Sequence, residues 1–200
     1  MKNILIIILL LSHPFFYGQT FEDYWGSATA KQDLKDFKGA IIDCDKAIQI
    51  NPNDNNIYFY RGILKSEIKD YQGAIADYSK AIDIDPSFAE YYLYRGGEKE
   101  NLKDYFGAIV DYNKAIEILS NYTVAYFKRG NSKDYLKDYQ GAIADYSKAI
   151  EIDPNYSDAY GYRGISKENI GDLDGACADW EKAQSLGDTY AAKWVKDKCH

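Results

Sequence analysis

Histidine is scarce in this sequence: only His13 and His200 occur among 200 residues. Histidine is the commonest proton carrier near neutral pH and the commonest metal ligand. With one near each end of the chain, neither a Ser–His or Cys–His nucleophile nor a histidine metal site is expected. The phosphate-binding, zinc-protease, nucleophile-elbow and Cys-x-x-Cys patterns are also missing from the sequence. We therefore predict no catalytic residues, no metal site and no cofactor, and expect that the protein is not an enzyme.

An excess of basic residues is also missing. The chain has 24 Lys and Arg against 31 Asp and Glu, a formal net charge of −7. Phosphates of nucleic acids and anionic lipids repel such a chain. The composition therefore argues against nucleic acid, and against membranes beyond the N-terminal leader, and leaves a protein or peptide as the expected partner.

Long apolar runs are limited to Ile4–Leu11, which follow Lys2. A membrane-spanning helix needs about 20 apolar residues, so this run is too short, whereas it suits an export signal. We predict a signal peptide over residues 1–19, cleaved near Gly18 or Gln19, and a secreted or periplasmic protein. An uncleaved anchor is the alternative. No cysteine follows the run, which argues against a lipoprotein.

A 34-residue period dominates the remaining sequence. Gly-Ala-Ile or Gly-Ala-Cys recurs with this step, starting at Gly39, Gly73, Gly107, Gly141 and Gly175. Aspartate and lysine keep the same step four and seven residues later in every copy. Self-similarity at a period of 20–50 residues is the signature of a stacked repeat architecture. Five copies are predicted, at 21–54, 55–88, 89–122, 123–156 and 157–190.

Each copy has the pattern of two short amphipathic helices. In the second copy, apolar residues are spaced as one helix face on both sides of Lys69-Asp70, and Asp70 is a suitable N-cap. Pro86 is expected to end the second helix. Residues 191–200 are predicted to form a terminal capping helix, whose apolar face begins at Tyr190. These patterns predict an all-α fold.

At these positions the chain resembles the tetratricopeptide repeat family. The family's aromatic fourth position is tyrosine in every copy, and its small eighth and twentieth positions are glycine or alanine throughout. The residues are Tyr24, Tyr58, Tyr92, Tyr126 and Tyr160, then Ala28, Gly62, Gly96, Gly130 and Gly164, then Ala40, Ala74, Ala108, Ala142 and Ala176. The resemblance implies an α–α superhelix, a tetratricopeptide solenoid, acting as a protein- or peptide-binding scaffold. A self-association or assembly module of an envelope complex is the alternative.

Two cysteines lie symmetrically about the last predicted turn. Cys177 and Cys199 are each eleven residues from Asp188, so an antiparallel helix pair would bring them together. In an oxidising compartment we predict a disulfide between them. Two unpaired thiols are the alternative. Cys44 is several repeats away and is expected to be a buried small hydrophobe.

Charged residues recur in rows that allow two interpretations. Arg61 and Lys65 are four residues apart, and later copies repeat the pair; Asp77 and its equivalents form an acidic row on the second helices. The rows could form a basic stripe for an anionic ligand. An internal Arg–Asp ladder is favoured, because every copy requires it identically.

Recognition of an asymmetric partner requires positions that differ between copies. The resemblance implies a concave groove lined by the first helices, and there the copies differ most. The candidate groove residues are Phe59, Ile63, Leu93, Asn101, Phe127, Asn131 and Tyr135. They give an apolar and aromatic floor with a mainly acidic edge, suited to a segment with apolar anchors and basic residues. The alternative is that the aromatic residues only cover the core.

Overall fold

A computed structural model describes residues 19–199. Apart from Gln19, the leader predicted at residues 1–19 lies outside the described residues. The described part contains eleven α-helices, two for each repeat and one at the C-terminal end. They are α1 (Phe21–Asp33), α2 (Phe37–Ile50), α3 (Asn55–Glu67), α4 (Tyr71–Ile84), α5 (Ala89–Asn101), α6 (Tyr105–Ile118), α7 (Thr123–Tyr135), α8 (Tyr139–Ile152), α9 (Ser157–Asn169), α10 (Leu173–Ser185) and α11 (Thr189–Lys198).

The helices pack in chain order. Each first helix contacts its own second helix, and each second helix contacts the first helix of the next copy. Successive first helices also touch, because α5 contacts α7 and α7 contacts α9. The chain is therefore an all-α superhelix with the first helices on its inner side. Within residues 19–199, no helix has the length and apolar character needed to cross a membrane.

The turn inside each repeat explains why the spacing between its two helices is the same in every copy. In the second copy, Lys69 has a φ of 62°, a left-handed conformation that lets the chain reverse after one turn residue. Asp70 then accepts a hydrogen bond of 3.0 Å from the N–H of Gly73. A Cβ on Gly73 would lie 2.1 Å from the Asp70 carboxylate, so a larger residue there would have to displace the capping side chain from its present position. The last copy has Gly171 in place of the left-handed lysine.

Proline is not what sets the end of the second helices. The helices α2, α4 and α8 end two residues before a proline, but α6 ends at the equivalent Ile118 although Ser120 replaces the proline. The extended conformation of the C-cap residue is shared by Leu119 in this copy and Asp85 in the second. Proline is therefore compatible with this turn, but the helix ends at the same position without it.

Small residues allow the two helices of a repeat to approach closely. A Cβ placed on Gly96 would lie 2.7 Å from Cε1 of Tyr112, which is fully buried. Glycine faces a buried aromatic ring in the same way in copies two, four and five. The first copy has Ala28 instead, and the residue opposite is the much smaller Cys44. The additional methyl group of Ala28 is thus accommodated by the smaller side chain of Cys44.

The C-terminal helix covers the last repeat. Ala191 and Val195 on α11 are buried against Trp180 and Ala183 of α10. The helix starts at Thr189, two residues before the predicted boundary at 191, because Asp188 accepts hydrogen bonds from the N–H groups of the first turn. A disulfide joins α10 to the residue that follows α11: Cys177 and Cys199 are bonded, with their Cα atoms 5.6 Å apart.

Candidate binding groove

The repeated basic residues are used inside the solenoid. Arg95 binds both oxygens of Asp111 through Nε and Nη2, at 3.0 and 2.6 Å. Lys99 Nζ lies 2.7 Å from the same carboxylate, which is only 2% exposed. The equivalent ion pairs form in the second, fourth and fifth copies. The internal ladder is therefore present, and these cations are not free to form a stripe for an anionic ligand.

Each of these arginines also connects its repeat to the preceding one. Arg95 Nη1 donates to Ser79 Oγ of the preceding repeat at 3.1 Å, and Arg61 Nη1 is 2.5 Å from the Asp45 carboxylate. The guanidinium carbon of Arg95 lies 5.6 Å from the centre of the Tyr92 ring, in a cation–π arrangement. The arginine therefore contributes to both the repeat and the junction between repeats. In the first copy Ser27 and Lys31 bind Asp43 in its place.

The predicted aromatic floor is partly covered by its neighbours. Phe59 is half-buried and packs against the rings of Tyr91 and Tyr94, with centroids 4.9 and 5.1 Å away. Phe127 is 8% exposed and contacts the ring of Tyr162 edge-on. These two side chains therefore support Tyr94 and Tyr162, whose rings reach the surface. Ile63 is half-buried on α3.

A cavity of about 560 Å³ opens between α5 and α7, and we call it the Glu98 cavity. It contains the predicted residues Leu93 and Asn101, together with Tyr94, Lys128 and three carboxylates. Its full lining is Glu90, Leu93, Tyr94, Gly97, Glu98, Glu100, Asn101, Tyr122, Val124 and Lys128. A volume of this size is typical of small-ligand and side-chain binding sites.

A second hollow, the Tyr162 cavity, lies between α7 and α9. Its volume is about 280 Å³, and it contains the predicted residues Asn131 and Tyr135 together with Asp134, Tyr162 and Ile165. Tyr162 and Ile165 also line a further hollow of about 420 Å³ that is closed on one side by Trp194 of α11. Four of the seven predicted groove residues therefore lie at open cavities.

Burial changes the titration of groups around these cavities. It raises the pKa of the Asp134 carboxyl, and a hydrogen bond from Ser166 only partly opposes this effect. Burial also raises the pKa of Tyr162, with nearby Tyr135 and acidic groups adding to the shift. Away from the groove, burial raises the pKa of the Cys44 thiol to about 12, which makes that thiol unreactive. Within residues 19–199, no three His, Cys, Asp or Glu side chains are grouped so that they could hold a metal ion.

The sixth position of the repeat also contributes to the groove, although its residues were not among those predicted from the sequence. Tyr94, Lys128 and Tyr162 occupy this position and line the cavities. Tyrosine at this position in three of the five copies was the available signal. Glu98 was also missed, although only the third copy has a carboxylate at that position; the other copies have alanine, leucine or serine there.

Four family models match the chain. Models described as tetratricopeptide repeat match residues 24–54, 123–156 and 146–178, and one described as TPR repeat matches residues 66–97. Together they span more than half of the 200 residues. No curated protein matches the sequence.

Solved structures with the same architecture include a crystal structure of MamA protein. It is 28% identical, superposes with a TM-score of 0.80, and the match covers 90% of this chain and 97% of that one. MamA from Desulfovibrio magneticus RS-1 is 18% identical, with a TM-score of 0.80 and coverage of 84% and 96%. YrrB, described as a protein of this repeat type with an unusual peptide-binding site, is 20% identical, with a TM-score of 0.74 and coverage of 87% and 90%. The last two likenesses show the fold alone.

Proposed function

Because the chain belongs to the tetratricopeptide repeat family, we propose that it is an exported scaffold that binds an extended segment of a partner protein in the groove along its first helices. A solenoid of this family is a protein-interaction scaffold. Our proposal goes beyond this general role in two respects: the partner binds in the groove, and the protein is exported from the cytoplasm. The partner is a protein or peptide, and no cofactor is needed.

The observation that carries the proposal is the contrast between the packing inside the repeats, which is nearly uniform, and the groove between the first helices, which varies from copy to copy. Ion pairs and buried rings are nearly the same in every copy, whereas the cavities between the first helices have different linings. The Glu98 cavity is acidic, while aromatic and aliphatic side chains dominate the hollow beside Trp194. An extended segment crossing both cavities would meet distinct side chains at each step, which gives a direction and a register to binding.

Selection from a displayed library of random linear peptides tests the groove. Peptides selected on the wild-type chain are expected to lose about ten-fold in affinity for Leu93→Ser and for Ile165→Ser, because each change removes an apolar wall of a cavity. Fluorescence polarisation with synthetic peptides measures the change. Circular dichroism and the urea midpoint of each variant show that the loss does not come from unfolding.

The opposite face offers a matched control. Phe106 and Val110 on α6 are 72% and 65% exposed, so Phe106→Ser and Val110→Ser change a comparable apolar area outside the groove. These variants are expected to bind the selected peptides like the wild type. If they lose binding instead and the groove variants keep it, the groove proposal is wrong. Sedimentation at several protein concentrations separates peptide binding from self-association, the alternative function.

Export is supported by the apolar leader and agrees with the disulfide. Protein isolated from its native host is expected to lack residues up to about Gly18 or Gln19, and its Cys177 and Cys199 are expected to resist alkylation until reductant is added. Intact mass spectrometry measures both properties. Reduction is expected to lower the stability by about 3 kcal/mol, because the bond closes a loop of this length. An intact leader, or three thiols that react without reductant after unfolding, would contradict export.

A further inference from the structure

We propose that the Glu98 cavity binds a positively charged side chain, lysine or arginine, of the partner segment. This inference rests on the proposed function, since the segment must lie in the groove. It adds a specific chemical requirement at one cavity between α5 and α7, and it assigns that requirement to Glu98 and Glu100.

Charge is the first support. The lining has three carboxylates, from Glu90, Glu98 and Glu100, against the single ammonium group of Lys128. Lys128 Nζ is 3.8 Å from Glu100, and its side chain is 43% exposed, so it lies at the rim and only partly balances the acidic groups. In the described part of the chain, Glu98 and Glu90 have no ion pair. A cation supplied by the partner would therefore neutralise part of the net negative charge of the cavity.

The burial of Glu98 is the second support. The residue is 5% exposed, and its only hydrogen bond among the described residues comes from Asn101 Nδ2, at 2.9 Å. A buried carboxylate normally has a cation or several hydrogen-bond donors, because the loss of water otherwise costs several kcal/mol. By comparison, the buried carboxylate of Asp111 on α6 is paired with both an arginine and a lysine. Glu98 lines the cavity, so a cation from outside can reach it.

A buried hydroxyl near the same cavity also has no well-oriented partner among the described residues. In the fourth copy, the Tyr146 hydroxyl donates to Asn131 at 2.8 Å. Tyr112 is the equivalent tyrosine of the third copy, but Gly97 stands where Asn131 would be, and within residues 19–199 its hydroxyl, like that of Tyr78 in the second copy, has no acceptor in good hydrogen-bond geometry. Burial, followed by the negative charge of Glu100 and a direct interaction of the hydroxyl with that carboxylate, raises the pKa of Tyr112, so this hydroxyl lies beside a carboxylate of the cavity.

Glycine creates the space that a long side chain needs. A Cβ on Gly97 would meet nothing within 4 Å, while the same repeat position is Ile63 in the second copy and Ile165 in the fifth. The walls beside this opening are apolar, from Leu93 and Val124. Lysine and arginine have this same division, with an apolar stem and a charged end. The apolar walls of the cavity suit the stem of such a side chain, and its carboxylates suit the charged end.

Parallel selections on the purified chain test the inference. The displayed random peptide library is selected on the wild type and on Glu98→Gln/Glu100→Gln, which keeps the side-chain shapes and removes two charges. The wild-type pool is expected to be enriched in lysine or arginine at one position, and the variant pool is not. In a synthetic peptide, norleucine at that position is expected to weaken binding to the wild type about ten-fold, and to the variant less than about three-fold.

Gly97→Ile provides a second variant that does not depend on buried charge. Isoleucine is the native residue at this position in two other copies, so the helix is expected to fold, and its side chain fills the opening. The peptide is expected to lose its preference for lysine over norleucine, while the urea midpoint stays the same or rises.

The outcomes separate the inference from the proposed function. Peptides that bind the groove, as judged by Leu93→Ser, but show no preference for a cation overturn the inference and leave the proposed function intact. A cation preference that persists in both Glu98→Gln/Glu100→Gln and Gly97→Ile also overturns it, since the cation then binds elsewhere. Selected peptides that are insensitive to Leu93→Ser and Ile165→Ser contradict the proposed function, and the inference fails with it.

Discussion

Asp111→Ala is expected to lower the free energy of unfolding by about 3–5 kcal/mol, because it leaves two cations without their common carboxylate. Arg95 and Lys99 are both paired to Asp111, and their side chains are only 19% and 21% exposed. Removing one partner of a buried pair costs more than the pair itself contributes, since the remaining charge keeps its desolvation penalty. Urea denaturation followed by circular dichroism measures the change.

An exposed ion pair on the same helix as Asp111 is the control for this experiment. Lys114 and Glu117 on α6 are 2.8 Å apart, with side chains 42% and 69% exposed. Glu117→Ala removes a carboxylate of the same formal charge and is expected to change the urea midpoint by no more than the measurement error, because water screens the pair. The loss in Asp111→Ala is also expected to persist in high salt. Equal effects of the two substitutions would refute the distinction drawn between internal and surface pairs.

Gly96→Ala is expected to lower the free energy of unfolding by about 2–3 kcal/mol, although it adds a single methyl group. The new Cβ would lie 2.7 Å from Cε1 of Tyr112, so either the ring or the helix must move. Gly97, the next residue of the same helix, faces open space. Gly97→Ala is expected to leave stability unchanged or to raise it by about 0.5–1 kcal/mol, because alanine favours the helix. Chemical denaturation of both variants, compared by midpoint and slope, measures the contrast.

The first repeat suggests a compensating substitution. Nature has Ala28 there, opposite Cys44 instead of a tyrosine. Tyr112→Val, which approaches the size of cysteine without adding a thiol, makes room for the methyl group in Gly96→Ala. The combined loss is expected to be smaller than the sum of the two single losses by at least about 1 kcal/mol. Additive losses would show that the ring and the glycine are not in competition.

The features that repeat were predictable from the sequence. The turn at Lys69 and Asp70, the close approach at Gly96 and the ladder at Asp111 recur with a fixed step, so a single physical solution accounts for several copies. The period also predicted the fold class, because a helical pair cannot bury its apolar face without a neighbour. The disulfide between Cys177 and Cys199 followed from their equal distance to one turn.

The features that differ between copies were harder to predict. Whether Phe127 reaches the groove depends on the ring of Tyr162 in the next repeat, which packs over it at 5.4 Å. The Glu98 cavity depends on the missing side chain of Gly97 and on a carboxylate that occurs at its position once. A single occurrence has no pattern to distinguish it from a solvated surface residue, so only the packing around it identifies it.

The arginine that reaches back to the preceding repeat has a consequence for the history of this chain. The atoms that it meets there belong to Asp45, Ser79, Asn113 and Ser147 in turn, and every one of them is an oxygen that accepts a hydrogen bond. For this contact, any of copies two to five, which carry the arginine, can therefore follow any of copies one to four. Inserting or removing a whole 34-residue unit among copies two to five would keep this contact at the new junction, so the array can change length without losing the hydrogen bond that joins neighbouring repeats.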